Sequence, residues 1–498
     1  MRQDAGLLYR ELSAVRKLVA GEAERLTTKW RSQIRGTACE TSAENLAAYL
    51  ALRNRDLREL QARLVPLGVS SLGRCEAHVL ATIDAVLATL AILSGTASKP
   101  AQIHPPGAVF GSGKAMIKRQ ASEVLGATAE KRRVRILVTL PTEAARDAGW
   151  MRKLLRVGAD CVRVNCAHDS ADDWLAMIRN VRRAERSVGR KCKVLMDLTG
   201  PRARTDQVRT PDPKRRIQVG DPVMLVRTPA DFGKGAAFQA VCALPEIYEQ
   251  LKPWASIWFN EGRIGTRVDK VKPKRLELTV TQARPEGEKF REDMGMNFPG
   301  ADLRIAPLTA KDMEDLDFIV QHADMVGYSF VQEPEDMGLL LGELDARRAA
   351  FKRREKLGVI AKIGTARAVR NLPEIMVRAA SRGPFAVMIA RGYLAVEIGY
   401  LRIAEIQEEI LWLCEAAHVP VIWATQVLES LAKKGMPSRA EITDAAMSER
   451  AECVMLNKGP YILDAVKILD LLLTRMAEHQ RKKTPTLRRL RSWQHLLP

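Results

Sequence analysis

From residue 133 onward, short runs of β-branched and apolar residues alternate with helical stretches. That alternation builds parallel sheets, because each strand must be carried back to the same end by a crossover helix. Eight such runs occur, at 134–140, 161–166, 192–198, 325–331, 358–363, 385–390, 419–424 and 452–457. Eight parallel strands close a barrel, so the expected fold class is α/β, a (β/α)8 TIM-type barrel over residues 133–204 and 298–480. One gap breaks the rhythm. Residues 205–297, after the third strand, are too long for one crossover and carry strand-like runs at 222–226, 257–259 and 276–280. They predict a small inserted β domain acting as a lid.

Residues 1–95 read as an N-terminal all-α module. Leu7, Leu8, Leu12, Val15, Leu18 and Val19 recur at three- and four-residue spacing, the period of a helix face. A second helix is expected after a Thr41-Ser42 cap, running through Leu46, Tyr49, Leu50, Leu57 and Leu60, and a third over 75–93. Residues 96–132, with Pro100, Pro105, Pro106, Gly107, Gly111 and Gly113, read as a linker. The GSGK string at 111–114 falls short of a phosphate loop, since Ala108 stands at the first glycine position and Ala115 where a magnesium-binding hydroxyl belongs. A helix over 465–480 and a basic tail over 481–498 complete the chain.

The formal charge of +20 suits an anionic substrate, a nucleic acid or a membrane surface. The basic runs Lys131-Arg132-Arg133, Lys352-Arg353-Arg354 and Arg481-Lys482-Lys483 contain no aromatic residue, which argues against stacking on single-stranded nucleic acid. No apolar run is read as reaching the ~20 residues of a membrane span. The first residues lack the order of a secretory signal, and cytoplasm is the expected compartment. Eight cysteines without a CxxC pair read as reduced core residues.

In such barrels the functional groups come from the C-terminal strand ends. There the chain places Arg163, Asn165 and His168 after strand two, Asp197, Arg202 and Arg204 after strand three, and Ser329 after strand four. Lys362 follows on strand five, Arg391-Gly392 on six, Thr425-Gln426 on seven and Asn457-Lys458-Gly459 on eight. Gathering Arg163, Arg204, Lys362 and Arg391 on one rim is costly unless an anion offsets them, so a small, phosphorylated ligand is expected. His168, without a visible carboxylate partner, reads as structural.

These residues carry a resemblance. RVNCAHD at 163–169, MDLTGPRART at 196–205 and GMNFPG at 295–300 resemble segments of the pyruvate kinase family. So do LTAKDMEDLDF at 308–318, SFV at 329–331, IARGYLAVEIG at 389–399 and ATQVLESLAKKGMPSRAEITDAA at 424–446, all in the family's order. The resemblance spans about residues 133–475. It implies a glycolytic transferase that moves the phosphoryl group of phosphoenolpyruvate to ADP, yielding pyruvate and ATP, in a short form without the family's C-terminal regulatory domain and as a homo-oligomer. It assigns catalysis to Lys362, Arg163 and Thr425. Substrate binding falls to Arg163, Asn165, Arg204, Arg391, Gly392, Tyr393 and Thr425, and the nucleotide to Arg163, His168 and Arg204.

The same resemblance exposes departures. The family holds Mg2+ with two carboxylates, and the matching positions here are Gly364 and Tyr393, neither of which can replace an oxygen anion. Glu397 and Asp197 are the nearby carboxylates left for a relocated ion. In the monovalent-cation region, with Asn165 and Asp197, Ala167 replaces a serine, and Arg202 stands where many members have a glutamate. The resemblance implies that Arg202 supplies the charge and that K+ is not required. The alternative to a phosphotransferase is a phosphoenolpyruvate-binding pseudoenzyme. Membrane and nucleic-acid partners are not expected.

Overall fold

The computed structural model describes residues 2–95, 104–129, 131–201, 203–242, 244, 246–301 and 303–485. Eight strands close a parallel barrel in sequential order: β1 (Arg135–Thr139), β2 (Cys161–Asn165), β3 (Lys193–Asp197), β4 (Met325–Tyr328), β5 (Gly358–Ile363), β6 (Phe385–Ala390), β7 (Val421–Ala424) and β8 (Cys453–Leu456). Closure comes from β1 on β8, with Arg135 opposite Cys453. Leu137, Cys161, Leu195, Met325, Ile360, Met388, Ile422 and Met455 fill the interior, as the packed core of such a barrel demands. The expected runs overshoot several strands by one to three residues, because the first turn past a strand end is also apolar here.

The chain leaves the barrel after β3 into a seven-stranded sheet running from Asp206–Arg209 to Met296–Asn297. That insertion has its own core of Phe238, Ile257, Phe259, Leu276 and Phe290. Phe290 meets Phe238 and Phe259 edge-on.

The N-terminal region forms α1 (Arg2–Ile34), α2 (Glu40–Arg53), α3 (Arg58–Leu64) and α4 (Val79–Ser94). Thr41-Ser42 does not cap α2. Cys39 is the N-cap residue and gives no side-chain cap bond, while Ser42 Oγ bonds His418 Nδ1 at 2.9 Å. Leu57 and Leu60 do not continue α2 either, since the helix ends at Arg53 and Leu60 belongs to α3. The reading that no segment could span a membrane is also corrected. Glu76–Ser94 is long and apolar enough by length and composition, with a mean hydropathy of 1.8. It packs instead against α1 and α2, burying Val79, Ile83, Val86, Leu87 and Leu90.

Much of the expected linker over 96–132 is helical, and residues 96–103 and 130 lie outside the described residues. Residues 107–125 form helix α5 (Gly107–Leu125), whose glycines and preceding prolines masked its helical period. The GSGK glycine serves packing: a Cβ on Gly113 would stand 2.6 Å from the Ala77 carbonyl and 2.7 Å from His418 Nε2. At the other end of α5, Val124 and Leu125 plug the barrel floor, and Cys161 Sγ donates to the Leu125 carbonyl at 3.1 Å. The expected basic tail is likewise ordered at its start. The last helix stops at Met476, Gln480–Arg481 pairs with Thr484–Pro485, and Lys482 reaches Glu452 at 2.5 Å. Residues 486–498 lie outside the described residues.

Candidate active site

Asp197 ends β3 with no exposed surface. The neighbouring strand makes room for its carboxylate at Gly327, where any Cβ would run into Asp197 Oδ1. Two cations converge on it. Lys362, from β5, reaches its oxygens at 2.9 and 3.1 Å and donates to Ser329 Oγ at 2.8 Å. Arg163, from β2, donates through Nε at 2.8 Å and Nη2 at 2.5 Å, and reaches Thr139 Oγ1 at 3.2 Å. Burial alone would raise the Asp197 pKa; Lys362 and Arg163 outweigh it and hold the carboxyl at about 2. The result is an ionised hub that fixes the two cations side by side.

A second cluster lies at the ends of β6 and β7. Thr425 and Gln426 have φ values of 68° and 56°, a strained conformation for non-glycine residues and worst for a β-branched one. Thr425 Oγ1 accepts from the Gly392 amide at 2.9 Å. Arg391 braces the turn, donating to the Ala424 carbonyl at 2.9 Å and the Thr425 carbonyl at 2.6 Å while pairing with Asp444. Its guanidinium lies 4.5 Å from the Trp423 ring centre. Arg391 thus acts as a support for Thr425, with its donors spent on the protein.

Arg204 is held against Asp293 of the insertion, whose carbonyl it reaches at 2.9 Å. The four rim cations therefore do not demand an external anion, contrary to the expectation from their number. Asp197 offsets Arg163 and Lys362, Asp293 offsets Arg204, and Asp444 offsets Arg391. Neither Asp293 nor Asp444 was singled out from the sequence. Only their place within or beside the matched segments could have drawn notice.

Two cavities open at this end. One, of 270 Å³, is lined by Lys362, Gly364, Tyr393, Glu397, Arg370 and insertion residues such as Asn297. The other, of 320 Å³, takes Arg163, Asn165, His168, Glu261, Lys433 and Lys458. Arg163 and His168 share the second cavity, but Arg204 is not in its lining. His168 frames the loop, its amide donating to the Asn165 carbonyl at 3.0 Å and its carbonyl accepting from Trp174 Nε1 at 2.9 Å.

The donors at the expected divalent-cation position do not fit Mg2+. Gly364 brings no side chain, and the Tyr393 ring stands edge-on to Phe330 at 5.8 Å. Glu397, pushed up by burial, bonds Asn297 and the Phe298 backbone, while Asp197 is taken by cations. Among the described residues no three His, Cys, Asp or Glu side chains gather as a metal set, against the several oxygens Mg2+ requires. A relocated ion on Glu397 and Asp197 has no such set. Arg202, named for the charge of K+, lies outside the described residues.

Fold and site define a class: a TIM-barrel protein with a β domain inserted after its third strand and a lysine–arginine–carboxylate hub at its strand ends. The family model for the pyruvate kinase barrel domain matches residues 131–466. A pyruvate kinase of Agrobacterium vitis is 32% identical over 370 residues, covering 70% of this chain and 69% of that one. A second from the same organism is 30% identical, with 70% of each chain covered. In fold, the chain resembles a crystal structure of a pyruvate kinase from Cryptosporidium parvum, with a TM-score of 0.61, 23% identity and 72% of each chain covered. The chain belongs to the pyruvate kinase family.

Proposed function

We propose that the barrel mouth binds phosphoenolpyruvate and ADP at the family's phosphoryl-transfer site, in the cytoplasm, and that its turnover is severely depressed. Lys362 and Arg163 would receive the phosphate. Thr425, Asn165, Gly392 and Tyr393 would border the enolate and carboxylate end, and Arg163, His168 and Arg204 the nucleotide side. Phosphoryl transfer asks mainly for fixed positive charge around spreading negative charge, and the Asp197 hub holds Lys362 and Arg163 side by side to supply it. Arg391 contributes by holding the Thr425 turn. The expected homo-oligomer finds support in Tyr400 and Leu401, which are 74% and 91% exposed.

The observation that carries the depressed turnover is the pair Gly364 and Tyr393. A bound divalent ion would neutralise the phosphate oxygens, and losing that help costs several kcal/mol of transition-state stabilisation. The two positions are packed together: a Cβ at Gly364 would sit 3.3 Å from Tyr393 Cβ. Restoring one carboxylate therefore leaves the other position in the way. The same observation favours a second reading, a phosphoenolpyruvate-binding regulatory protein without turnover.

Pyruvate formation coupled to NADH oxidation tests both, with magnesium and then manganese, on the native chain and the Gly364→Glu/Tyr393→Asp variant. The expected result is weak native activity that rises in the double variant. Robust native turnover would sink the depressed-enzyme reading. Measurable phosphoenolpyruvate binding with no turnover would select the regulatory one, and no binding at all would overturn both.

A further inference from the structure

A cavity of 990 Å³ lies at the opposite end of the barrel from the active site. Its wall takes Val134 and Arg135 at the entry to β1, Ala451 and Glu452 before β8, parts of α4 and α5, and the 480–485 hairpin. The volume is at the upper end of the range of about 300–1000 Å³ that small-molecule sites occupy.

One side of this cavity is flat and apolar. Phe110 meets the His78 ring at 5.1 Å, near edge-on, and Val86, Ile117 and Ala121 continue the surface. The other side is cationic. Arg135 is 4% exposed and spends its donors on neutral acceptors, the Gly126 carbonyl at 2.9 Å and Ser122 Oγ at 3.0 Å. Arg74, Lys114, Lys118 and Arg481 also line the space, and none forms an ion pair with a carboxylate among the described residues. Three carboxylates share the wall. Glu449 is taken by Arg133 and Glu452 by Lys482, both at 2.5 Å. Burial pushes Glu415 up to about 7, so near neutrality it carries only part of its charge. Positive charge is left in excess beside an aromatic wall. A buried guanidinium without a carboxylate is an unfavourable arrangement that a bound anion offsets.

We propose that this cavity is a second ligand site, for an organic anion that joins a phosphate or carboxylate to a flat, largely apolar body. The phosphate or carboxylate faces Arg135, Lys114 and Lys118, and the flat body lies along Phe110 and α4. The site owes nothing to the reaction at the barrel mouth, so its test needs no turnover.

The probe is 8-anilinonaphthalene-1-sulfonate, an aromatic anion whose fluorescence rises on burial, titrated into the full-length chain. Saturable binding at one site is expected, displaced by AMP or by 2-naphthoate but not by inorganic phosphate alone. The stronger of the two competitors tells whether the natural ligand is a nucleotide or an aromatic carboxylate. Lys114→Glu/Lys118→Glu, two exposed positions on α5, should weaken binding about tenfold, and Thr89→Trp, which fills the cavity from α4, should abolish it. Both variants should keep the native melting temperature and circular dichroism, and Lys362→Met at the barrel mouth should bind the probe as the native chain does. Absence of saturable binding, displacement by neither organic anion, undiminished binding in Thr89→Trp or loss in Lys362→Met would each overturn the proposal.

Discussion

Each end of the barrel holds a buried aspartate between two cations, and the two networks differ in what else they touch. At the floor, Asp160 pairs with Arg132 at 2.5 Å and Arg190 at 2.8 Å and accepts from the Ile136 amide at 2.8 Å. Arg132 also reaches Asp470 at 2.7 Å and the carbonyls of Val134 and Gly158. At the mouth, Asp197 holds Arg163 and Lys362, whose partners also include the hydroxyls of Thr139 and Ser329. Backbone carbonyls cannot leave without unfolding the strands that carry them, so the floor network is locked. Hydroxyls and a shared carboxylate can be exchanged for a ligand's oxygens. The same ion-pair chemistry is thus structural at one end and available for binding at the other.

The strongest attempt to break this contrast is Asp160→Ala. It takes from the fully buried Arg132 its buried carboxylate, leaving only the partly exposed Asp470, and should cost about 3–5 kcal/mol in urea denaturation. A loss no larger than that of a surface substitution would show that the floor is not locked. Lys362→Met leaves Asp197 its Arg163 partner, so it should cost clearly less stability than Asp160→Ala, and it should weaken phosphoenolpyruvate binding by about 2–3 kcal/mol, the scale of a charge-assisted hydrogen bond, read by calorimetry.

Acid separates the ends further. The Asp197 pKa is lowered from 3.8 to about 2, so its contribution is full above the unfolded value and disappears as pH falls through the folded one. About 2 kcal/mol should vanish between pH 4 and 2. At the floor, burial raises Glu449 from 4.5 to about 7, so stability there declines as pH rises across that window. Denaturation midpoints of Asp197→Asn and Glu449→Gln should lose these opposite slopes. The smallest effect belongs to Ser42→Ala. It removes the bond from α2 to His418 and should cost about 1 kcal/mol, sharpening how firmly the helical layer is tied to the floor.

Strand existence and order were legible because fully buried strands must be apolar runs, and the insertion was legible because no crossover is so long. Lys362, Arg163 and Asp197 were legible as strand-end polar residues. Arg391 was legible as a rim cation, yet its role as a brace depends on Asp444, 53 residues away. Helix α5 was obscured by Gly107, Gly111 and Gly113, whose low helix propensity is overridden by packing on the barrel floor. The cavity beneath the barrel left no local signal, since six separate segments build it.

The sequence by itself determined the barrel, its inserted domain and that Gly364 and Tyr393 bring no carboxylate, because hydrophobic period and residue chemistry are local properties. Only the tertiary structure decided which cations are already neutralised, that Tyr393 closes over Gly364, and that a tied-down helical layer leaves a charged cavity at the floor. Those outcomes depend on distances between residues far apart in the chain, which no window of sequence contains.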